Sequence, residues 1–179
     1  MSAQSKAADA FAAQTAAWDF EAIFHQYYAR VARLIARVVR DPSRAEELAV
    51  EVFWKLSRTP RAQGEHVGGW LYTSAVRAGL YELRRQARRE RFAHLLRRDD
   101  ERPPDPEALR SAAEEQRQVR DVLARLDKRQ AELVLLRSSG LSYEELAAAL
   151  NLKPASVGTL LSRAQQAFRK EYIQLYGER

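Results

Sequence analysis

The sequence contains no cysteine. Disulfide bonds, thiol catalysis and thiolate metal ligands are therefore excluded. The three histidines, His25, His66 and His94, are too widely separated to have the spacing of metal ligands. We accordingly expect no metal site and no cofactor.

Long apolar segments and strand patterns are also missing. No apolar run reaches the length of about 18 residues that a membrane-spanning helix requires. Residues 1–18 lack the charged start and apolar stretch of a secretion signal, so we expect a flexible tail and a cytoplasmic protein. Alternating β-branched runs are absent, whereas Ala, Leu, Arg, Glu and Gln are abundant. The composition predicts an all-α fold.

Catalytic signatures are likewise missing. The sequence has no phosphate-binding Gly-rich loop, no nucleophile elbow and no His-Glu-x-x-His motif. The carboxylates are expected to pair with arginines along helix surfaces. We expect no catalytic residue and a chain that binds rather than an enzyme.

The positive charge is concentrated in one segment. Residues 77–98 hold eight Arg and two Glu, which accounts for the whole net charge of +6. Such a segment favours binding to a polyanion. The alternative is an ordinary solvated helix face.

Apolar periodicity and capping residues divide the chain into helices. A first helix is predicted from Asp19 to Arg40, and Asp41 and Pro42 begin a second that reaches Ser57. A third helix starts at Trp70 and enters the Arg-rich segment. Residues 97–108 contain three prolines and dense charge, which predicts a linker between domains at 19–96 and 109–179. Four further helices are predicted at 109–125, 128–138, 142–150 and 154–173.

The last two of these helices have the pattern of a helix-turn-helix. Gly140 ends the preceding helix, and Ser142 with Glu145 forms a capping box. Pro154 opens the next helix after a turn of only a few residues. Such closely joined helices cross steeply, so the second can enter a major groove. This segment predicts binding to duplex DNA.

Two further helix faces stand out. One face of the second helix carries Glu47, Val50, Glu51 and Trp54, and it could be either ordinary surface or a docking face. The third helix carries a basic stripe with an embedded aromatic, which suits contact with a nucleic-acid backbone and base stacking. Its members are Thr73, Arg77, Tyr81, Arg84 and Arg88. The alternative for Tyr81 is packing at the edge of the core.

Four stretches of the sequence follow one another along the chain. They are AEELAVEVFWKL, then GGWLYTSAVRAGLYELRR, then the Pro-rich acidic linker, and then LDKRQAELVLLRSSGLSYEELAAALNLKPASVGTLLSRAQQAFRK. Over residues 20–170 the chain resembles bacterial RNA polymerase sigma factors of the extracytoplasmic-function class. The resemblance implies a three-helix sigma2-like domain and a sigma4-like helix-turn-helix domain. It implies a factor that directs RNA polymerase to promoters and assists promoter melting. The implied partners are the clamp and flap of core RNA polymerase, promoter DNA and an anti-sigma factor.

The resemblance also implies three sets of contact residues. The set for the −10 element is Arg58, Arg61, Trp70, Thr73, Arg77, Tyr81, Arg84, Arg85 and Arg88. The set for the −35 element is Ser142, Lys153, Ala155, Ser156, Thr159, Ser162, Arg163 and Arg169. The set for the polymerase is Glu46, Glu47, Val50, Glu51 and Trp54.

Some positions depart from the pattern of that family. Glu47 stands where Asp is usual, Val50 where Gln is usual and Arg77 where Asn is usual. Gly158 and Leu160 replace basic residues, so we expect weak DNA binding by the last helix alone. These departures keep open a sigma-like protein that acts only by binding a partner. A stand-alone helix-turn-helix regulator is a second alternative, which the Arg-rich first domain disfavours because such a regulator needs only one DNA-reading unit. The apolar end of the last helix is expected to pack on its own domain, on an inhibitor or on a second chain.

Overall fold

The computed structural model describes residues 18–96 and 107–177, and within these ranges all regular structure is helical. The helices are α1 (Phe20–Ala36), α2 (Pro42–Ser57), α3 (Val67–Leu96), α4 (Glu107–Arg125), α5 (Lys128–Ser138), α6 (Tyr143–Leu150) and α7 (Pro154–Tyr176), with a 3₁₀ turn at Pro60–Ala62. The predicted all-α fold is confirmed. The predicted tail, apart from Trp18, and linker residues 97–106 lie outside the described ranges.

Helix starts follow the capping residues that the sequence provides. The Asp41 carboxylate accepts hydrogen bonds from the backbone N–H of Ser43 at 3.0 Å and of Arg44 at 3.3 Å. The capping box of α6 is complete: the Ser142 hydroxyl accepts from Glu145 N–H at 3.1 Å, and the Glu145 carboxylate accepts from Ser142 N–H at 2.6 Å. Asn151 ends α6 in the left-handed region with φ 52°. Pro154 opens α7 as predicted.

Helix ends differ more from prediction. The first helix ends at Ala36 rather than at Arg40, because the N–H of Val38 turns back to the Ile35 carbonyl at 2.9 Å. This turn buries Val38, so the apolar pattern continues beyond the helix itself. The third helix begins at Val67 rather than at Trp70 and includes Gly68. A Cβ on Gly68 would lie 3.0 Å from Tyr27 Cε1, so close packing explains a glycine inside the helix.

The first domain is built from α1, α2 and α3. Their buried faces meet around Ile35, Phe53 and Leu71. The Phe24 ring stacks on Tyr28 at 4.7 Å and meets the edge of Phe53 at 4.9 Å, which closes one end of this core. Burial of each large apolar side chain stabilises the fold by about 1.5–3 kcal/mol.

The second domain is built from α4 to α7. Its fully buried leucines are Leu123, Leu133, Leu136, Leu141 and Leu146. Helix α3 packs on α4, α5 and α6 as well as on α1 and α2, so α3 contributes to the packing of both domains. The two cores therefore form one continuous apolar cluster. None of the helices in residues 18–96 and 107–177 is long and apolar enough to span a bilayer.

Candidate DNA and polymerase interfaces

The basic stripe on α3 is partly covered. Tyr81 is 63% exposed, and Arg88 is also exposed. Thr73, in contrast, is buried, and Arg84 is half-buried. The sequence predicted these residues as one stripe at helical spacing, and in the structure the second domain packs over Thr73 and Arg84 within it.

Three members of the stripe bond to the second domain. The Thr73 hydroxyl donates to the Ala149 carbonyl at 3.0 Å. The Arg77 guanidinium donates to the Glu132 carboxylate at 2.8 Å, and that of Arg84 donates to the Leu126 carbonyl at 3.0 Å. These side chains are thus held in fixed positions by protein acceptors.

Glu132 and Glu82 are buried partners of arginines that were not predicted from the sequence. Glu132 is 1% exposed and also lies 3.9 Å from the Arg129 guanidinium. Glu82 is buried on α3, where the guanidinium groups of Arg44 and Arg85 approach it at 3.4 Å and 3.5 Å. The expectation that carboxylates pair with arginines on helix surfaces is wrong for these two. Their burial depends on packing between helices, which has no local signature.

A cleft of about 820 Å³ lies between the start of α3 and α6. Arg61 and Trp70, both predicted −10 residues, line it together with Arg30 and Glu145. The Arg30 guanidinium lies 4.7 Å from the centre of the Tyr72 ring, a cation–π contact at the same wall. Burial raises the pKa of the Tyr72 phenol above its ordinary value of 10.0. The cleft thus joins aromatic and cationic groups of the kind that hold unpaired bases.

Arg58 does not join that cleft. Its guanidinium lies 3.7 Å from the centre of the Trp54 ring, on the exposed side of α2. Arg88 lines a second cleft of about 740 Å³ with Arg84, Arg91 and Arg125. Among the predicted −10 residues, Arg61 and Trp70 therefore line one cleft, Arg84 and Arg88 line another, and Arg58 lies apart from both.

The predicted polymerase face of α2 is exposed, and Arg44 holds two of its carboxylates in place. Val50 is 53% exposed and Trp54 is 57% exposed, although both are large apolar side chains. The Arg44 guanidinium binds Glu47 at 2.8 Å and Glu51 at 3.1 Å, and hydrogen bonding to Glu47 raises the pKa of Arg44. Glu46, the remaining predicted member, is exposed on the same helix. The face presents an apolar centre beside fixed carboxylates, which suits a partner with an apolar, basic-rimmed groove.

The predicted reading face of α7 is open to solvent. Ala155, Thr159, Ser162 and Arg163 are exposed, and Ser156 is half-buried. The opposite side buries Val157, Leu161 and Ala164 against the rest of the domain. Lys153 and Arg169 are exposed at either end of this face, where they can contact phosphates. Ser142, at the start of α6, is also exposed.

Tyr143 lies beside this reading face and was not predicted. It is 44% exposed, and a Cβ on Gly158 would lie 3.6 Å from its Cε2. The Arg137 guanidinium stands 5.6 Å from the centre of its ring. The pair therefore adds an aromatic ring and a cation next to a helix that is itself poor in charge.

The apolar end of α7 packs on its own domain. The Tyr172 hydroxyl donates to Gln118 at 2.7 Å, and the Tyr176 hydroxyl donates to Asp121 at 2.8 Å. Burial, together with the hydrogen bond to Asp121, raises the pKa of Tyr176 from 10.0 to about 12. Among the three alternatives stated for these aromatics, the structure supports packing within the domain.

The described residues contain no group of three or more His, Asp or Glu side chains arranged to hold a metal ion. The chemistry available at these faces is that of binding: guanidinium groups for phosphates, rings for stacking, and hydroxyls for hydrogen bonds to base edges.

Comparison with known proteins gives the same domain order. Residues 23–89 match the family Sigma-70 region 2, and residues 116–167 match Sigma-70, region 4. The chain is 32% identical over 163 residues to the RNA polymerase sigma factor CarQ of Myxococcus xanthus, covering 89% of this chain and 90% of CarQ. It is 30% identical over 168 residues to the ECF RNA polymerase sigma factor SigE of Mycolicibacterium smegmatis, covering 90% of this chain and 64% of SigE.

Solved structures show a similar fold at low sequence identity. CnrH, solved in complex with the cytosolic domain of CnrY, aligns with a TM-score of 0.54 at 17% identity, covering 84% of this chain and 85% of CnrH. RpoE of Bartonella quintana, solved with the anti-sigma factor NepR, aligns with a TM-score of 0.51 at 20% identity, covering 86% of this chain and 96% of RpoE. With both sigma regions matched and a relative similar along nearly its whole length, the chain belongs to the RNA polymerase sigma factors of the extracytoplasmic-function class, which direct the polymerase to promoters for transcription initiation.

Proposed function

We propose that the two domains of this sigma factor divide promoter recognition between α3 and α7. The first domain, residues 19–96, would bind the melted −10 element through the cleft at Arg61 and Trp70 and through the basic stripe of α3. The second domain, residues 109–179, would read the −35 element as duplex DNA. The observation that carries this proposal is the open reading face of α7 in the same chain as a basic helix beside an aromatic-lined cleft.

For the −10 element, the cleft supplies what unpaired bases require. Trp70 offers a ring for stacking, and the guanidinium of Arg61 offers a contact to the backbone or to a base edge. Arg85 and Arg88 extend the positive charge along α3 and would follow the strand through its phosphates.

For the −35 element, the short side chains of α7 favour close approach to the groove floor. Ser156, Thr159 and Ser162 can hydrogen-bond to base edges, and Arg163 can make a bidentate contact to guanine. Lys153, Arg169 and the start of α6 at Ser142 would hold the phosphates on either side. Because the helix carries few charges, its affinity would come mainly from these flanking contacts.

For the polymerase, we propose that the α2 face of Glu46, Glu47, Val50, Glu51 and Trp54 docks on the clamp, while the second domain meets the flap. Support comes from the exposed Trp54 and Val50 beside carboxylates that Arg44 already orients. The chemistry of RNA synthesis would belong to the polymerase, so this subunit would not be an enzyme by itself. It would act in the cytoplasm, where promoter and polymerase are found.

An anti-sigma factor is a further proposed partner. RpoE, which has the same fold, was solved with the anti-sigma factor NepR, and CnrH was solved with the cytosolic domain of CnrY. An inhibitor that covers the α2 face would compete with the polymerase for Trp54. Co-purification of the chain with and without Trp54→Ala would test this, since the variant should lose the inhibitor and the polymerase together.

In vitro transcription with purified core polymerase on a promoter library tests the proposal as a whole. We expect transcripts from one class of promoter that shares a −35 and a −10 sequence, and none from core polymerase alone. A stand-alone regulator would instead bind duplex DNA without associating with the polymerase. A chain that neither binds the core enzyme nor yields transcripts would overturn the assignment.

A further inference from the structure

A buried carboxylate of α3 is connected to the exposed face of α2 through a single arginine. The Glu82 side chain is 4% exposed, whereas the side chains of Glu47 and Glu51 on α2 are 64% and 58% exposed. Arg44 contacts all three carboxylates, and its own side chain is 28% exposed. One guanidinium thus joins the interior of the first domain to its surface.

The Arg44 guanidinium divides its nitrogens between the buried and the exposed side. Its Nε and Nη2 donate to Glu82 Oε2 at 3.4 Å and 3.5 Å. Its Nη1 donates to Glu47 Oε2 at 2.8 Å and to Glu51 Oε1 at 3.1 Å. Because a guanidinium is planar, holding Nε and Nη2 on the buried side also fixes the direction in which Nη1 points. The ammonium group of a lysine has no such plane and could not transmit the constraint.

Burial makes Glu82 a firm anchor for this arginine. A carboxylate that is taken out of water must keep its cationic partners, because an unpaired buried charge is costly. Arg44 approaches it from α2, and Arg85 Nη1 lies 3.5 Å from the same oxygen. Ion pairs in solvent, such as those of Arg44 with the two α2 carboxylates, hold long side chains only weakly by themselves. The order of the exposed carboxylates therefore depends on the buried end of the contact.

Orientation by Arg44 leaves Glu47 and Glu51 able to bind a partner. Arg44 contacts one oxygen of each carboxylate, and a carboxylate can accept about four hydrogen bonds. Both groups can therefore receive a further cation without releasing Arg44. Immobilising a flexible side chain on association costs free energy, so carboxylates that are already held bind with a smaller loss of entropy.

From these contacts we infer that Glu82 is a positioning residue for polymerase binding, which fixes Glu47 and Glu51 through Arg44 without touching the partner itself. This inference rests on the proposed docking of the α2 face on the polymerase. The docking face is thus prepared from α3, by a side chain that is buried beneath the surface. Loss of the Glu82 charge leaves both α2 carboxylates present and ionised, but it releases their side chains from one fixed arrangement.

The variant Glu82→Gln tests the inference, because it keeps the shape of the side chain and removes the charge that holds Arg44. We expect it to bind core polymerase about fivefold more weakly, mainly through faster dissociation, because two flexible side chains must then be ordered on binding. Surface plasmon resonance with immobilised core polymerase measures both rate constants. The matched control is Glu90→Gln, eight positions further along α3, where Glu90 pairs with Arg40 at 3.5 Å. The control should leave both rate constants unchanged.

A second background separates positioning from a general loss of stability. A weakened packing of α2 on α3 would also reduce polymerase binding, so Glu82→Gln is repeated in the variant Glu47→Ala/Glu51→Ala. Arg44 has no α2 carboxylate to position there, and Glu82→Gln should change the affinity by less than about twofold. An equal loss in both backgrounds would assign Glu82 to stability alone and overturn the inference. So would a dissociation rate that Glu82→Gln leaves unchanged in the otherwise native chain.

The same set of variants distinguishes the inference from the function on which it rests. If Glu47→Ala/Glu51→Ala binds core polymerase as the native chain does, the α2 face is not the docking surface, and the inference fails together with that proposal. If the pair weakens binding and Glu82→Gln does not, only the inference fails.

A conservative change of the connecting arginine gives an independent measurement. Arg44→Lys keeps the positive charge and removes the planar group that links the buried carboxylate to the exposed ones. We expect it to weaken polymerase binding about as much as Glu82→Gln does, and the two changes together should be little worse than either alone. Native affinity in Arg44→Lys, or losses that simply add in the double variant, would show that Glu82 does not act through Arg44 and would overturn the inference.

Discussion

The surfaces of α3 and α7 both suit nucleic acid, but they differ in what they contact within the chain. On α7 the reading face is in solvent, and its hydroxyls and Arg163 have room for a groove. On α3 two of the four arginines that would hold the −10 strand, Arg77 and Arg84, are bonded to the second domain. The chain thus leaves the proposed duplex-reading surface in solvent while it partly covers the proposed surface for single-stranded DNA. Substitutions on the two helices should therefore have different consequences.

The largest effect is expected from Arg77→Ala, which removes the partner of a buried carboxylate. Glu132 would remain buried with only Arg129 near it, which we expect to lower the free energy of unfolding by about 3 kcal/mol. Urea denaturation measures this loss. Arg88→Ala, on an exposed part of the same helix, is the control and should change stability by less than about 0.5 kcal/mol. In a Glu132→Gln background the cost of Arg77→Ala should fall clearly, and equal costs in both backgrounds would refute the coupling.

For α7 we expect a substitution to reduce the discrimination between bases of the −35 element rather than the free energy of unfolding. Arg163→Ala should lower the preference for one base of the −35 element by about 1–3 kcal/mol if Arg163 reads that base. Binding to a set of −35 duplexes with single substitutions measures the preference. Equal weakening on all sequences would instead assign Arg163 to a phosphate. The control is Gln165→Ala, which changes an exposed residue of the same helix outside the predicted reading set and should leave the preference unaltered.

The α2 face is the surface proposed for the polymerase rather than for DNA. Replacing Glu47 and Glu51 together by Lys should weaken binding to core polymerase by about 1 kcal/mol or more, because Arg44 and the new lysines would then repel a basic rim. A pull-down titration with core enzyme measures the change. Glu21→Lys, exposed on α1, reverses a charge away from this face and should leave binding unchanged. Equal binding by all variants would remove α2 from the interface.

A smaller effect, on DNA binding, is expected from Arg88→Ala, since Arg88 is exposed and, in the described part of the chain, makes none of the hydrogen bonds between the domains. Loss of one phosphate contact should lower the slope of log K against log salt by about 0.7 for single-stranded DNA. Binding of a fork-junction DNA at several salt concentrations gives the slope. An unaltered slope would mean that Arg88 does not touch the strand.

The smallest effect concerns the C-terminal end of α7, which packs instead of reading DNA. The pKa of Tyr176 is raised from 10.0 to about 12 in the folded chain, so its contribution to stability is complete below pH 10. That contribution should be lost as the pH rises from 10 to 12, because the unfolded chain releases the proton first. Tyr176→Phe should make the unfolding free energy less dependent on pH in this window. An identical pH profile would show that the phenol ionises equally in both states.

Local features were predictable because their causes are local. Asp41, Ser142 and Pro154 each determine a helix start through bonds or backbone geometry within a few positions, and all three were predicted from the sequence. The residues of the reading face of α7 were implied by the family resemblance, and four of its five members on the helix are exposed in the structure. The end of α1 was predicted too late, because Val38 continues the apolar pattern in a turn rather than in a helix.

The contacts between domains could not be predicted in the same way. Arg77 and Glu132 are 55 positions apart, and each looks like an ordinary charged residue on a helix surface. Their pairing depends on how the second domain packs across α3, which no pattern within either helix determines. The roles of the three sets of contact residues, in turn, remain predictions from the family resemblance.

The chemistry of the contact between the domains also determines which signals can act on it. Arginine stays protonated throughout the physiological pH range, and the carbonyls that receive Arg30, Arg37, Thr73 and Arg84 do not titrate. Mild acidification therefore has little leverage on these bonds. A polyelectrolyte or a large protein surface that offers other acceptors to the same arginines can compete directly for these bonds.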